Sequence, residues 1–98
     1  MKSKEYKTGL LKRLNDPDYA AGYLTDVLEH ESQETFLLAV KNVLNAQKAN
    51  ISEFSKKVGL SRQAVYHALS HRGNPKLSTL NQILKSAGLK ITFETENK

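Results

Sequence analysis

Residues 51–70 read ISEFSKKVGLSRQAVYHALS, and their spacing is typical of a helix-turn-helix. The ninth residue of that motif turns the chain in a left-handed conformation that favours glycine, and Gly59 stands there. The fifth residue faces the second helix at close range and has to be small, which Ser55 is. The core-facing positions should be apolar, and they are occupied by Phe54, Val58, Leu60, Val65 and Ala68. Because every constrained position fits, we prefer this interpretation to that of an ordinary helical hairpin.

Charge is distributed unevenly along the 98 residues, a length that suffices for one domain with a modest core. Residues 1–50 hold seven Lys/Arg and seven Asp/Glu, so the formal net charge of +5 comes from residues 51–98. An excess of basic residues confined to one segment indicates a surface that faces phosphates. On charge alone, a face that only keeps the protein in solution remains the alternative.

Composition excludes several classes of protein. The chain has no cysteine, so nothing indicates a disulfide framework or a thiolate metal site. The longest purely apolar run, residues 36–40, is too short for a secretion signal or a membrane span. We therefore expect a cytoplasmic protein that has no membrane partner.

Local start and stop signals divide the chain into helices. Asp16-Pro17-Asp18 combines an N-cap acceptor, a proline at the first helical position and an acid near the positive end of the helix dipole. Asn50 and Glu53 form an N-x-x-E pattern that starts the first motif helix. Further N-caps are predicted at Ser32 and Ser61, and a glycine C-cap at Gly88.

Apolar residues recur at helical spacing in three segments outside the motif. The predicted stripes are Ala20, Tyr23, Leu24, Val27 and Leu28; Phe36, Leu37, Val40, Val43 and Leu44; and Leu77, Leu80, Ile83, Leu84 and Ala87. Together with the motif they predict one all-α domain over residues 16–98. The Lys-rich residues 1–15 are expected to be flexible or partly helical, with an amphipathic stretch over residues 6–14.

Residues 89–94 alternate apolar and polar side chains, which predicts a short C-terminal β-strand. One strand cannot satisfy its own backbone hydrogen bonds. It would pair with its counterpart in a second copy or with a strand of another protein. A short extended tail that lies over the helices is the alternative.

The second motif helix is expected to enter the major groove of double-stranded DNA. Its outward positions are predicted to be Ser61, Arg62, Gln63, Tyr66, His67 and Ser70. Arg62 suits paired hydrogen bonds to guanine, and Gln63 suits adenine. Contacts to the phosphate backbone are predicted for Lys56, Lys57, Arg72 and Lys76. One recognition helix offers few contacts, so we expect a homodimer that reads two half-sites about 34 Å apart.

The sequence does not predict an enzyme, a cofactor or a metal site. It holds no visible nucleophile–base arrangement and no glycine-rich phosphate loop. His67 and His71 stand four residues apart, a spacing seen in metal sites, but no third ligand lies nearby in the sequence. We interpret them as histidines beside a phosphate-binding face.

The wider pattern resembles the addiction-module antidote proteins, HigA-like antitoxins with a Cro/repressor-type helix-turn-helix, from about Asp18 to Phe93. The resemblance rests on Tyr23-Leu24, Leu28-Glu29, Phe36-Leu37-Leu38-Ala39, Gly59-Leu60-Ser61-Arg62, Tyr66-His67-Ala68-Leu69-Ser70, Gly73-Asn74-Pro75 and Thr79-Leu80 with Leu84 and Gly88-Leu89. It implies a five-helix lambda-repressor-like bundle that neutralises a small RelE/HigB-like ribonuclease toxin. It also implies dimers that repress their own operon. Many such repressors carry a phosphate-binding Gln near the start of the first motif helix, where Ile51 and Ser52 stand here.

Residues 16–34 hold six carboxylates and no Lys or Arg. A basic ribonuclease would favour such an acidic surface, so we expect the N-terminal region to contact the toxin. Deleting residues 1–31 should then abolish neutralisation and largely spare DNA binding. The alternative is that these carboxylates only cap and solvate helices that pack on the domain. Two other functions compete with this interpretation: a stand-alone phage-type repressor, and a protein-interaction module whose motif has lost the ability to bind DNA.

Overall fold

The computed structural model describes residues 9–47, 52–53, 55–57, 59–70 and 72–96. Within these ranges the chain is all-helical, as the periodicity predicts. The helical residues are 9–14 (α1), Pro17–His30 (α2), Gln33–Ala46 (α3), 52–53 and 55–57 (α4), Arg62–Ala68 (α5) and Leu77–Ser86 (α6). The resemblance implied five helices, and the structure differs because residues 9–14 are helical as well.

Three predicted N-caps are confirmed. The Asp16 carboxylate accepts a hydrogen bond from the Asp18 amide at 3.1 Å, and Pro17 opens α2. The hydroxyls of Ser32 and Ser61 accept from the amides three residues later, at 3.1 and 3.0 Å. Each bond satisfies an amide that has no partner inside its helix, so these side chains fix where α2, α3 and α5 begin. The cap predicted at Asn50 lies outside the described residues.

The predicted C-cap at Gly88 is also confirmed. Gly88 has φ +79°, its amide donates to the Lys85 carbonyl at 3.0 Å, and the Leu89 amide donates to the Leu84 carbonyl at 2.9 Å. This pair of bonds is the Schellman motif, which uses a left-handed residue to satisfy the last carbonyls of a helix. It ends α6 and turns the chain into residues 89–94.

One core joins α1, α2, α3, α5 and α6. Its buried residues are Leu10, Leu14, Ala20, Leu24, Val27, Leu37, Ala39, Val40, Val43, Leu44, Val65, Leu69, Ile83, Leu84 and Ala87. Leu10 and Leu14 come from α1, within the segment that the sequence described as flexible or partly helical. The described end of that segment therefore packs into the core, and the domain boundary at residue 16 stays a prediction.

Two members of the predicted apolar stripes are exposed instead of buried. Leu28 is 62% exposed and Leu77 is 70% exposed. Leu28 lies in an open groove between α2 and residues 89–94, where no described residue covers it. Leu77 is the first residue of α6. Helical period places a side chain on a face, but the neighbouring elements decide how far along the helix that face is covered.

The strand predicted at residues 89–94 is not formed. Residues 89–96 are neither helix nor strand, and Phe93 is 94% exposed. The physical reason is that a ladder needs a second strand, and the described part of the chain contains none. Residues 89–94 thus alternate apolar and polar side chains, but the described part of the chain holds no second strand with which they could form a sheet.

Within the described ranges, no helix has the length and apolarity needed to cross a bilayer.

Candidate nucleic-acid interface

The turn of residues 51–70 has the backbone that the motif requires. Gly59 has φ +72°, as predicted, and a Cβ at this position would meet no atom within 4 Å. The Leu60 amide donates to the Ser55 carbonyl at 3.2 Å, the same long-range cap bond that closes α6. Glycine is therefore required here by the backbone conformation and not by lack of space. Ile51, Phe54 and Val58 lie outside the described residues.

The core-facing positions of the motif that the structure describes point toward protein. Val65 is fully buried, and Leu60 is half-buried against the core. Ala68 is half-buried. The Ser55 hydroxyl oxygen is buried and has no hydrogen-bond partner among the described residues. Its side chain is enclosed by protein, which agrees with the requirement for a small residue at this position.

The first turn of α5 presents polar side chains to solvent. Ser61 is the N-cap, and Arg62 and Gln63 follow it with both side chains exposed. His67, one turn further along, is exposed as well. The four basic residues assigned to the phosphate backbone are also exposed: Lys56, Lys57, Arg72 and Lys76. The arrangement exposes a guanidinium and an amide at consecutive positions of one short helix, with exposed lysines and an arginine on the segments before and after it.

Tyr66 does not point outward as the sequence predicted. It is half-buried against the core, and its hydroxyl donates to the Asn45 Oδ1 at 2.8 Å. The Lys41 ammonium lies 5.7 Å from the centre of the ring. The cause is the helical period, since Val65, Tyr66 and Leu69 share the face of α5 that packs on the rest of the domain. Tyr66 thus joins α5 to α3.

Two serines assigned to DNA contacts make hydrogen bonds at the ends of α5. The Ser61 hydroxyl caps the first turn, and the half-buried Ser70 donates its hydroxyl to the His67 carbonyl at 2.8 Å. Ser70 therefore presents less free polar surface than the sequence predicted. The sequence predicted the N-cap at Ser61, whereas it did not predict the hydrogen bond from Ser70 to the His67 carbonyl.

Gly73, which belongs to the Gly73-Asn74-Pro75 mark of the resemblance, has a structural role that the sequence did not predict. A Cβ added there would lie far inside the contact distance of the Ala68 carbonyl oxygen. The Gly73 amide donates to the Ser70 carbonyl at 2.8 Å. The chain after α5 therefore passes directly against the end of that helix, and only glycine leaves room for it. In the sequence, the one indication was a glycine between two helices, and the close approach of Gly73 to the Ala68 carbonyl could not be predicted.

The possible metal pair cannot be assembled from the described residues. His71 lies outside them, and the described ranges contain no group of three His, Cys, Asp or Glu that could hold a metal ion. His67 itself is an exposed side chain one helical turn after Gln63.

A second charged surface lies on α2 and the start of α3. The six carboxylates of residues 16–34 are all exposed: Asp16, Asp18, Asp26, Glu29, Glu31 and Glu34. The Asp26 carbonyl, followed by the Asp26 carboxylate, raises the pKa of His30 above its ordinary value of 6.5. The His30 Nδ1 lies 2.9 Å from that carbonyl and 3.1 Å from the carboxylate. His30 is therefore protonated at a higher pH than an ordinary histidine, and its positive charge then offsets part of the negative charge of this surface.

Comparison with known proteins places these features in a family. A family model described as "probable addiction module antidote protein" matches residues 5–95, which include all the described helices. The chain belongs to this family. An addiction-module antidote counteracts a cognate toxin, so membership implies a toxin partner for this antidote. The resemblance drawn from the sequence is confirmed at the level of the antidote family.

Relatives add less detail about this antidote. An uncharacterized protein of Haemophilus influenzae is 32% identical over 72 residues, which cover 74% of this chain and 72% of that protein. No solved structure matches.

Proposed function

We propose that this antidote neutralises a RelE/HigB-like ribonuclease toxin and, as a cytoplasmic dimer, represses its own operon by binding operator DNA through α5. The observation that carries the DNA part is the exposure of Arg62 and Gln63 at the start of α5, directly after the left-handed turn at Gly59. Val65 and Leu69, in the later part of the helix and at its C-cap, are buried in the core. The helix therefore offers its first turn to a partner without having to unfold.

The proposed contacts divide into two kinds. Arg62 would donate two hydrogen bonds to a guanine and Gln63 would exchange two with an adenine, each worth about 1–3 kcal/mol of discrimination. Lys56, Lys57, Arg72 and Lys76 would neutralise phosphates, which adds affinity and salt dependence without sequence information. His67 is proposed to supplement either kind.

The decisive experiment measures binding to DNA of the antidote's own promoter by fluorescence anisotropy, at several salt concentrations and against scrambled DNA. Arg62→Ala with Gln63→Ala should lower the preference for promoter DNA by about tenfold or more, since two base contacts are lost. Lys56→Ala with Lys57→Ala should weaken binding to both DNAs and reduce the slope of log affinity against log salt by about two. All four side chains are exposed, so none of these changes should unfold the domain.

Lys12→Ala is the matched control, because Lys12 is an exposed basic residue on α1, outside the motif. It should change neither the preference nor the salt slope by as much as the motif variants do. If the two motif pairs behave alike at every sequence, the division between reading and anchoring residues is wrong. If promoter DNA does not bind at all, the chain is an interaction module without a DNA target.

The toxin part of the proposal rests on family membership and on the acidic surface of residues 16–34. Copurification from the native operon, followed by mass spectrometry, should recover a basic partner protein of about a hundred residues encoded beside the antidote gene. A chain that binds its promoter while its operon yields no partner would instead be a stand-alone phage-type repressor.

A further inference from the structure

We propose that residues 89–94, here called the tail, form a two-stranded antiparallel β-ribbon with the tail of a second copy, centred on Thr92. The proposal deepens the proposed dimeric repressor by naming the surface and register of the dimer. Its test is designed so that the ribbon and the DNA function can fail separately.

The tail leaves an apolar groove unfilled. Phe93 is 94% exposed and Leu28 is 62% exposed, and both line a groove with Phe36 and Ile91. None of the residues that line it lies between positions 37 and 83, so the groove is separate from α4, the turn at Gly59 and α5. A partner bound in this groove would therefore leave Arg62 and Gln63 free.

The sequence of the tail is complementary to itself. In an antiparallel pair around a two-fold axis at Thr92, Ile91 of one copy stands opposite Phe93 of the other, and Lys90 stands opposite Glu94. Leu89, Ile91 and Phe93 share one face of the ribbon, while Lys90, Thr92 and Glu94 share the other. Each dimer thus gains two aliphatic–aromatic pairs toward the grooves and two ion pairs toward solvent.

Neighbouring registers lack this match. Directly opposed residues in an antiparallel pair point to the same side, so the axis must pass through a residue position. An axis at Ile91 places Lys90 opposite Thr92, and an axis at Phe93 places Ile91 opposite Thr95. The axis at Ile91 still pairs Leu89 with Phe93 but forms no ion pair, and the axis at Phe93 pairs Lys90 with Glu96 but leaves Ile91 opposite a threonine. Of the three axes, only the one at Thr92 combines Ile91–Phe93 pairs with Lys90–Glu94 ion pairs.

The occupant is therefore a second copy of this chain. The ribbon also accounts for the alternation of residues 89–94 and for the absence of a strand there in the single chain. A ladder forms only when both strands are present, because the backbone amides and carbonyls of the tail have no strand to pair with before association.

Cysteine cross-linking tests the register, because the chain contains no native cysteine. Opposed residues in an antiparallel pair have Cα atoms about 4.5 or 5.5 Å apart, and both distances are compatible with a disulfide. Thr92→Cys should therefore cross-link with itself under mild oxidation. Lys90→Cys alone and Glu94→Cys alone should cross-link poorly, whereas an equal mixture of the two should give the mixed dimer. Stronger cross-linking of Ile91→Cys or Phe93→Cys than of Thr92→Cys would overturn the register.

Charge exchange tests the same pairing without covalent chemistry. Lys90→Glu or Glu94→Lys creates two like-charge pairs per dimer and should weaken dimerisation about tenfold in sedimentation equilibrium at low salt. The double variant Lys90→Glu with Glu94→Lys should restore most of the loss, since opposite charges face each other again. Failure of the double variant to recover would contradict the pairing.

An apolar variant and its control complete the test. Phe93→Ala should abolish or strongly weaken the dimer without affecting folding, because the side chain is almost fully exposed in the single chain. Leu38→Ala is the matched control, since Leu38 is 52% exposed and does not line the groove. An unaltered dimer with Phe93→Ala, or a chain that is monomeric at every concentration, would overturn the proposal.

Promoter binding, measured on the same variants, separates the two proposals. A dimer that cross-links at residue 92 but does not bind promoter DNA would support the ribbon and contradict the proposed DNA function. The opposite outcome is specific binding to promoter DNA, with neither the dimer nor the DNA affinity changed by Phe93→Ala. It would support the DNA function and contradict the ribbon.

Discussion

Among single residues, Tyr66 differs most from its prediction. Tyrosine has an apolar ring and a polar tip, so sequence alone permits it to face either solvent or protein. The structure places it against α3, where its hydroxyl and Asn45 form one of the side-chain hydrogen bonds between helices. The exposed polar surface of α5 is therefore smaller than predicted and includes Arg62, Gln63 and His67.

Tyr66→Phe provides a direct test of this assignment. Loss of the hydroxyl removes the bond to Asn45 and should lower the free energy of unfolding by about 0.5–1.5 kcal/mol in urea denaturation. Asn45→Ala should cost a similar amount, and the double variant should cost less than the two changes added, because they share one interaction. Promoter affinity should stay unchanged. A variant with unaltered stability and weakened DNA binding would show that the hydroxyl faces DNA after all.

Among the helices, α5 is held in place by a glycine on each side. Gly59 supplies a left-handed backbone before it, and Gly73 allows the chain to pass against its last carbonyls. The two glycines differ physically, since the first is required by conformation and the second by space. α5 has only seven residues, so its direction depends on these neighbours more than on its own hydrogen bonds.

The glycine-to-alanine series should separate the two causes. Gly59→Ala should destabilise the domain by about 1–2 kcal/mol through the left-handed backbone. Gly73→Ala should cost about 1–3 kcal/mol because the chain after α5 has to move. Gly22→Ala is the control: Gly22 is exposed within α2 with no atom near its added Cβ, and alanine should stabilise the helix by up to about 1 kcal/mol. Equal stability of Gly73→Ala and the native chain in urea would show that the chain after α5 can move freely.

At the scale of the whole molecule, the N-terminal part of the antidote contributes both to the acidic surface and to the buried core. Residues 1–31, the segment of the predicted deletion, include five of the six carboxylates and also five core residues: Leu10, Leu14, Ala20, Leu24 and Val27. Deleting residues 1–31 would therefore remove a third of the buried residues of the core, and we expect the shortened chain to lose its fold. The deletion cannot then separate toxin neutralisation from DNA binding. The toxin surface has to be tested with point substitutions of exposed carboxylates.

Glu29→Gln with Glu31→Gln should weaken neutralisation of the toxin, because two charges that would face a basic partner are lost. Growth rescue and calorimetric titration with the copurified toxin measure the effect, while thermal unfolding should be unchanged. Glu53→Gln with Glu96→Gln is the control, since both carboxylates are exposed and lie outside residues 16–34. Full neutralisation by the Glu29/Glu31 variant and an effect of the control pair would place the toxin elsewhere.

The amino-acid sequence by itself determined where α2, α3 and α5 begin, where α6 ends and where the backbone turns left-handed. The caps at Asp16, Ser32 and Ser61 and the glycines at 59 and 88 depend on residues only two to five positions away, so local chemistry sufficed. It also placed Arg62 and Gln63 at an exposed helix start. Only the tertiary structure decided that Tyr66 faces Asn45, that Leu28 stays uncovered, that Gly73 is closely packed and that residues 89–94 form no strand within the single chain. Each of these depends on which distant segment lies beside the residue, and neither residue type nor spacing along one chain specifies that neighbour.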